Sequence, residues 1–141
     1  MRLSLDVGVG SVATQALPRP DLLNGDGAFA SATNWTLSGT ASIGSDRLTM
    51  TSAGRASHAV AIPAGGGVFT VTVTVLARTA GDVTFNFAND DAGTNVGTSV
   101  FVSRMPGSYA LVVTALAGNA VFRINGVSAY AGQITNISVR S

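Results

Sequence analysis

The chain has no cysteine, no lysine and no glutamate, and a single histidine, His58. Without cysteine, disulfides and thiolate metal sites are excluded, and the redox compartment stays open because oxidising and reducing locations both accept such chains. All 8 cations are Arg and all 7 anions are Asp. Lys and Glu are the usual residues of exposed helix faces, so long helices are not expected. The net charge of +1 is spread thinly, with no cluster or stripe of Arg. Sustained contact with a phosphate backbone therefore has little to work with, and no nucleic-acid partner is expected. No apolar run approaches the roughly 20 residues needed to cross a bilayer, so membrane insertion is not expected either. Aromatic residues make up only 6% of the chain, which limits the stacking surfaces available to it.

What is abundant is Thr, Val, Ser, Ala and Gly, the composition of short strands joined by tight turns. The cleanest period-two run covers residues 68–77, where Phe69, Val71, Val73 and Val75 alternate with Thr70, Thr72 and Thr74. In a strand these sets face opposite ways, one towards a core and one towards a polar surface. Further strands are expected over residues 35–38, 47–51, 58–62, 83–87, 96–103, 109–116, 120–125 and 134–140, each bounded by glycine or other turn residues. At 141 residues this is one domain by size. Nine strands without a helical period predict an all-β fold over residues 21–141: a two-sheet antiparallel β-sandwich, a jelly roll.

Residues 1–20 read differently. Leu3, Leu5, Val7 and Val9 alternate with small or polar residues, and Pro18 and Pro20 stiffen the exit, which predicts an extended N-terminal arm. Such an arm either docks on a neighbouring subunit or adds a strand to its own domain. The same stretch faintly imitates a secretory signal with small residues near Ala16, although Asp6 interrupts its apolar part.

Residues 22–29, Leu-Leu-Asn-Gly-Asp-Gly-Ala-Phe, followed by Trp35 and by Arg47-Leu48-Thr49-Met50, resemble the opening of carbohydrate-binding-module jelly rolls of the family 4 and 9 type. Ile62-Pro63-Ala64-Gly65 leading into Phe69-Thr70-Val71 resembles their turn and central strand, and residues 134–139 resemble their closing strand. The resemblance implies the same jelly roll and a structural calcium near the first strand, for which Asp26 is the remaining carboxylate. Ala30 and Thr135 stand where those modules commonly place acidic residues. Small jelly rolls of this kind with a leading arm also resemble phage virion proteins: head decoration proteins, tail-tip pieces and fibre modules.

Few residues suggest chemistry. His58 shares strand parity with Val60 and Ile62, while the adjacent Ser57 points the other way, so the two cannot act as base and nucleophile; a hydrogen-bonded structural histidine is expected. Asp90 and Asp91 form the densest acidic cluster, in residues 89–95, Asn-Asp-Asp-Ala-Gly-Thr-Asn. The expected reading is a turn stabilised by Asx hydrogen bonds, with weak calcium binding as the alternative. Trp35 fits either core packing or sugar stacking, with core favoured by the parity of Leu37. Tyr130, in a loop-like segment, is the aromatic candidate for an exposed glycan contact, and Asn86 and Arg104 are its polar candidates. No cofactor is expected from the residues themselves.

The function expected from the sequence is a non-enzymatic phage virion structural protein, a capsid decoration or tail-associated piece located on the particle surface. Its arm would dock on other virion proteins, and its partners would include further copies of itself. The alternative is a carbohydrate-binding or host-receptor-binding module that recognises a cell-surface glycan, on the virion or secreted.

Overall fold

The computed structural model describes residues 19–102 and 105–141. Leu3, Leu5, Val7, Val9 and Arg104 lie outside the described residues. Among the described residues a 3-10 turn, Asp26–Ala28, precedes eight strands: β1 (Trp35–Gly39), β2 (Ser42–Gly44), β3 (Arg47–Met50), β4 (Gly54–Ala59), β5 (Gly67–Ala88), β6 (Val100–Val102), β7 (Gly107–Ala115) and β8 (Val121–Arg140). All pairings are antiparallel. No helix among the described residues is long and apolar enough to cross a membrane.

The expected alternation of residues 68–77 holds. Phe69, Val71, Val73 and Val75 are buried, whereas Val68, Thr70, Thr72 and Leu76 face outward. Burying each of those four apolar side chains contributes roughly 1.5 to 3 kcal/mol. The expected strand count does not hold. The strands expected at 68–77 and 83–87 are one 22-residue strand, β5, and those at 120–125 and 134–140 are one 20-residue strand, β8. Gly81 reads as a turn in the sequence but sits inside β5 at φ +65, so close to Tyr130 that a Cβ would lie 2.5 Å from its backbone nitrogen. The β5/β8 ladder slips in register between Thr72 and Thr74, Val75 and Ala77, Arg78 and Ala80, and Ala80 and Asp82. Bulges of this kind bend a strand and increase its twist without ending it. β2 was not expected, β4 begins four residues before the expected strand at 58, and of the expected strand at 96–103, described up to residue 102, β6 keeps Val100–Val102.

The two bent strands thus belong to both layers. In one layer, the β5 end at residues 67–75 pairs with β7 and with the final residues of β8. In the other, the β5 end at residues 82–88 pairs with β6 and with residues 121–127 of β8, which in turn pair with β4, and β4 with β1. β3 joins β8 near its bend, through Leu48↔Ile134 and Met50↔Gly132, and carries β2 at its edge.

Between the layers lies an aromatic core. Phe87 stands 5.2 Å from Phe69 and 5.4 Å from Phe122 by ring centroids, linking residues of both layers. At one end Asp21 clasps the domain: its carboxylate accepts the backbone N–H groups of Leu23 (3.1 Å), Gly25 (3.2 Å) and Val139 (2.9 Å), tying the first turn to the last strand.

Candidate functional site

Along the second layer, the residues that alternate with the core side chains form one polar row. Ala56, Phe85, Phe87, Phe122 and Ile124 point inward. Their neighbours Arg55 and Ser57 (β4), Arg123 and Asn125 (β8), and Thr84 and Asn86 (β5) must then share the opposite side. The ladders bring them side by side, with Arg55↔Asn125, Ser57↔Arg123, Thr84↔Asn125 and Asn86↔Arg123 as cross-strand partners. β6 and the segment before it add Phe101 and Ser99 at the margin. All of these but Ser57 line an open cleft of about 580 Å³.

The floor of this cleft is polar yet buried. Asn86 is 5% and Arg123 9% exposed. Asn86 donates from Nδ2 to Ser99 Oγ at 3.0 Å, and Arg123 donates from Nη2 to Asn125 Oδ1 at 3.0 Å. Ser57 donates its hydroxyl to Asp91 Oδ1, which also lies 3.6 Å from Arg55 Nε. Among the described residues, five buried polar atoms here have no hydrogen-bond partner: Arg55 Nε, Arg123 Nε and Nη1, Asn125 Nδ2 and Asn86 Oδ1. Buried polar groups are ordinarily paired, and each exception calls for a physical explanation. Burial, and then the nearby charge of Arg55, lower the pKa of the Arg123 guanidinium, while Asp91 and Asp90 oppose that shift. Beside this floor Phe101 is 60% exposed, a large apolar ring facing water.

The loop at one side of the cleft is built by the Asp90 turn. Asp90 accepts from the N–H groups of Gly93 (2.9 Å) and Thr94 (3.1 Å) and from the Thr94 hydroxyl (2.8 Å), which hold its carboxyl below the usual range, the Thr94 backbone bond foremost. Gly93, at φ +89, passes so close over Arg123 that a Cβ would lie 1.8 Å from Nη1. Asn119 pins the loop from below, donating to Asn89 Oδ1 (3.0 Å) and to the Asn95 carbonyl (2.8 Å).

The expected site residues separate accordingly. Asn86 lies in the cleft. Asp90 stabilises a turn, as expected, while Asp91 pairs with Ser57 and with Arg55, a residue of the cleft. Trp35 is core, 6% exposed, packed against Phe29 at 5.1 Å and His58 at 5.0 Å, with its indole N–H donated to the Asp26 carbonyl at 3.2 Å. It offers no sugar platform. Tyr130 corrects the expectation of an exposed loop aromatic: it is 2% exposed inside β8, and burial pushes its phenol up to about 12. The bends that keep β8 continuous at Ser128 and Ala129 turn this ring inward. His58 is structural, with Nδ1 2.7 Å from the Ala59 carbonyl and Nε2 2.9 Å from Asp26 Oδ2. Arg55, Arg123, Asn125 and Phe101 were not singled out from sequence; their shared face emerges only from the cross-strand register.

The calcium implied by the resemblance does not fit the residues present. Asp26 Oδ2 already takes His58 and, at 2.9 Å, the amide of Asn34. The Thr135 hydroxyl donates to the Asp46 carbonyl at 2.7 Å. Among the described residues no group of three His, Asp or Glu side chains is placed to hold a metal ion, whereas calcium takes six to eight oxygens.

No protein-family model matches the chain, and no curated protein matches it. Solved structures do. The enzymatically active domain of tailspike protein 4 from bacteriophage CBA120 superposes with a TM-score of 0.57 at 23% identity, over 85% of this chain and 21% of that one. This chain has the jelly-roll fold of carbohydrate-binding modules. A family 29 carbohydrate-binding module gives a TM-score of 0.56 at 11% identity, over 89% of this chain and 92% of the module. A family 61 module, in complex with β-1,4-galactotriose, gives 0.53 at 14% identity, over 86% and 99%. The chain thus spans about a fifth of the tailspike domain but nearly the whole of each module, and at these identities the likeness is one of fold.

Proposed function

We propose that this chain is a non-enzymatic glycan-binding jelly roll, with the cleft between β4, β8, β5 and β6 as its binding face. The observation that carries this reading is an exposed aromatic ring, Phe101, beside a buried floor of Arg and Asn side chains that retain unpartnered polar atoms. Glycan sites need this combination: a ring face for the apolar side of a sugar and fixed polar groups for its oxygens. The fold shared with carbohydrate-binding modules supports the reading, and so does the engagement of the only histidine with Asp26 and Ala59 rather than with a nucleophile. Affinity electrophoresis of the chain through a panel of polysaccharide gels tests it. Retardation in at least one gel is expected, weakened about fivefold or more by Phe101→Ala, since a stacking contact is worth roughly 1 kcal/mol or more. Retardation in none overturns the reading.

A second reading places the jelly roll on a phage particle, as a tail-associated or decoration piece at the virion surface, in contact with other virion proteins and further copies of itself. The tailspike likeness supports it, as does the outer face of the other layer, where Val68 and Val112 are exposed on a ladder that also carries the charge of Arg140 beside Thr70. Deleting residues 1–17 should abolish association with the particle while the sandwich still folds. Retained association would overturn the docking role of that segment.

A further inference from the structure

We infer that the ligand of the cleft is an acidic sugar, one bearing a carboxylate or sulfate that sits between Arg55 and Arg123; this rests on the reading of the cleft as a glycan site. The argument is a count of donors and acceptors. Of the five atoms without a hydrogen bond, four are N–H donors (Arg55 Nε, which lies 3.6 Å from the Asp91 carboxylate, Arg123 Nε and Nη1, and Asn125 Nδ2) and one is an acceptor, Asn86 Oδ1. The Asn125 assignment is fixed, because its Oδ1 takes the Arg123 Nη2 proton. Asn86 contacts only a hydroxyl, Ser99 Oγ, so turning its amide round would make the free atom a fifth donor. A neutral sugar hydroxyl presents donor and acceptor together and would leave such a surface unevenly paired. An oxyanion presents acceptors alone.

Arg55 and Arg123 bring two positive charges to the floor, against Asp91 and, at the rim, Asp90, both close enough to act on Arg123; what differs is how far each group is already paired. Asp90, at the rim, directs both carboxylate oxygens to Gly93 and Thr94. Asp91 already accepts Ser57 as well as facing Arg55, and among the described residues Arg123 has Asn125 as its one hydrogen-bond partner. Guanidinium groups are suited to oxyanions, because their planar fork meets two oxygens at once and their charge strengthens each bond. The Gly93 loop passes over Arg123 Nη1, and the burial of this guanidinium enhances that attraction.

Matched pairs of polymers test this with the full chain at about 150 mM salt, where long-range attraction is screened. Sodium polygalacturonate against its methyl ester probes carboxylate, and dextran sulfate against dextran probes sulfate. The acidic member of at least one pair should bind about tenfold or more tighter than its neutral partner, the scale of one charge-assisted contact. Arg123→Gln and Arg55→Gln should each remove that preference, with folding checked by circular dichroism. Arg47→Gln, beside Ser45 and Gln133 and outside the cleft, should preserve it. Equal binding to both members of each pair overturns the acidic ligand and leaves the glycan reading standing. Equal sensitivity to Arg47→Gln reveals a non-specific polyanion effect and overturns it too. Binding to no polymer overturns both readings.

Discussion

The two ends of β5 alternate in the same way and differ in what their outward residues meet. At the first end, Thr72 and Thr74 look outward and satisfy one another's neighbours: Thr72 pairs with the Ser138 hydroxyl at 2.7 Å and Thr74 with that of Ser108 at 3.2 Å. At the second end, Thr84 and Asn86 occupy equivalent outward positions but are buried, in a row with two arginines, three of whose nitrogens make no hydrogen bond among the described residues. A surface that closes its own hydrogen bonds in open solvent has little to offer a ligand. One that withholds water from polar atoms and leaves them unpaired carries a stability cost, and that cost is expected where function retains it.

The two ends share one core, and the largest expected effect removes what they share. Phe87→Ala deletes the ring between Phe69 and Phe122 and should destabilise the chain by about 3 to 5 kcal/mol, measured by urea denaturation. Independent melting of the two ends would break the picture of a single sandwich.

Arg123→Met sharpens the contrast directly. Replacing a buried, incompletely paired charge by an apolar chain of similar length should leave stability unchanged or raise it by about 1 to 3 kcal/mol. The matched change at the other end, Thr72→Val, loses one exposed hydrogen bond and should shift stability by no more than about 0.5 kcal/mol. A loss above about 1 kcal/mol in Arg123→Met would make the arginine a structural residue and erase the difference between the ends.

The smallest expected effect is one that touches neither end. Hydrogen bonds from His58 first and Asn34 second hold the Asp26 carboxyl below its ordinary value of 3.8. A depressed folded-state pKa stabilises the native state above the unfolded value and loses that contribution as pH falls through the folded one. The urea midpoint should therefore drop as pH falls below about 4. Asp26→Asn should flatten part of that drop, with Asp90, also depressed, supplying another part in the same direction. An unchanged pH profile in Asp26→Asn would remove the clasp between the 3-10 turn and β4 from the account.

Much of the fold was legible because it depends on local rules. Alternation in residues 68–77 identified the core face of β5, the scarcity of helix-forming charged residues excluded long helices, and the acidic turn at Asp90 followed from Asx chemistry. The parity of Trp35 and His58 placed both correctly among core and structural residues. Strand ends were less legible: a glycine inside a bulge and a glycine in a turn read alike, so Gly81 divided a strand that the structure keeps whole.

The sequence by itself determined that this chain builds an antiparallel β-sandwich, since alternation, β-branched residues and turn residues act over a few positions each. Only the tertiary structure decided where its functional face lies. Arg55, Asn86, Phe101 and Arg123 come from four strands separated by up to 68 residues, and each alone looks like an ordinary outward strand residue. Cross-strand register, which depends on the whole ladder, sets them in one row, and the Gly93 loop then closes over Arg123. The same long-range geometry turned Tyr130 inward, because the bends of β8 depend on β5 beside it.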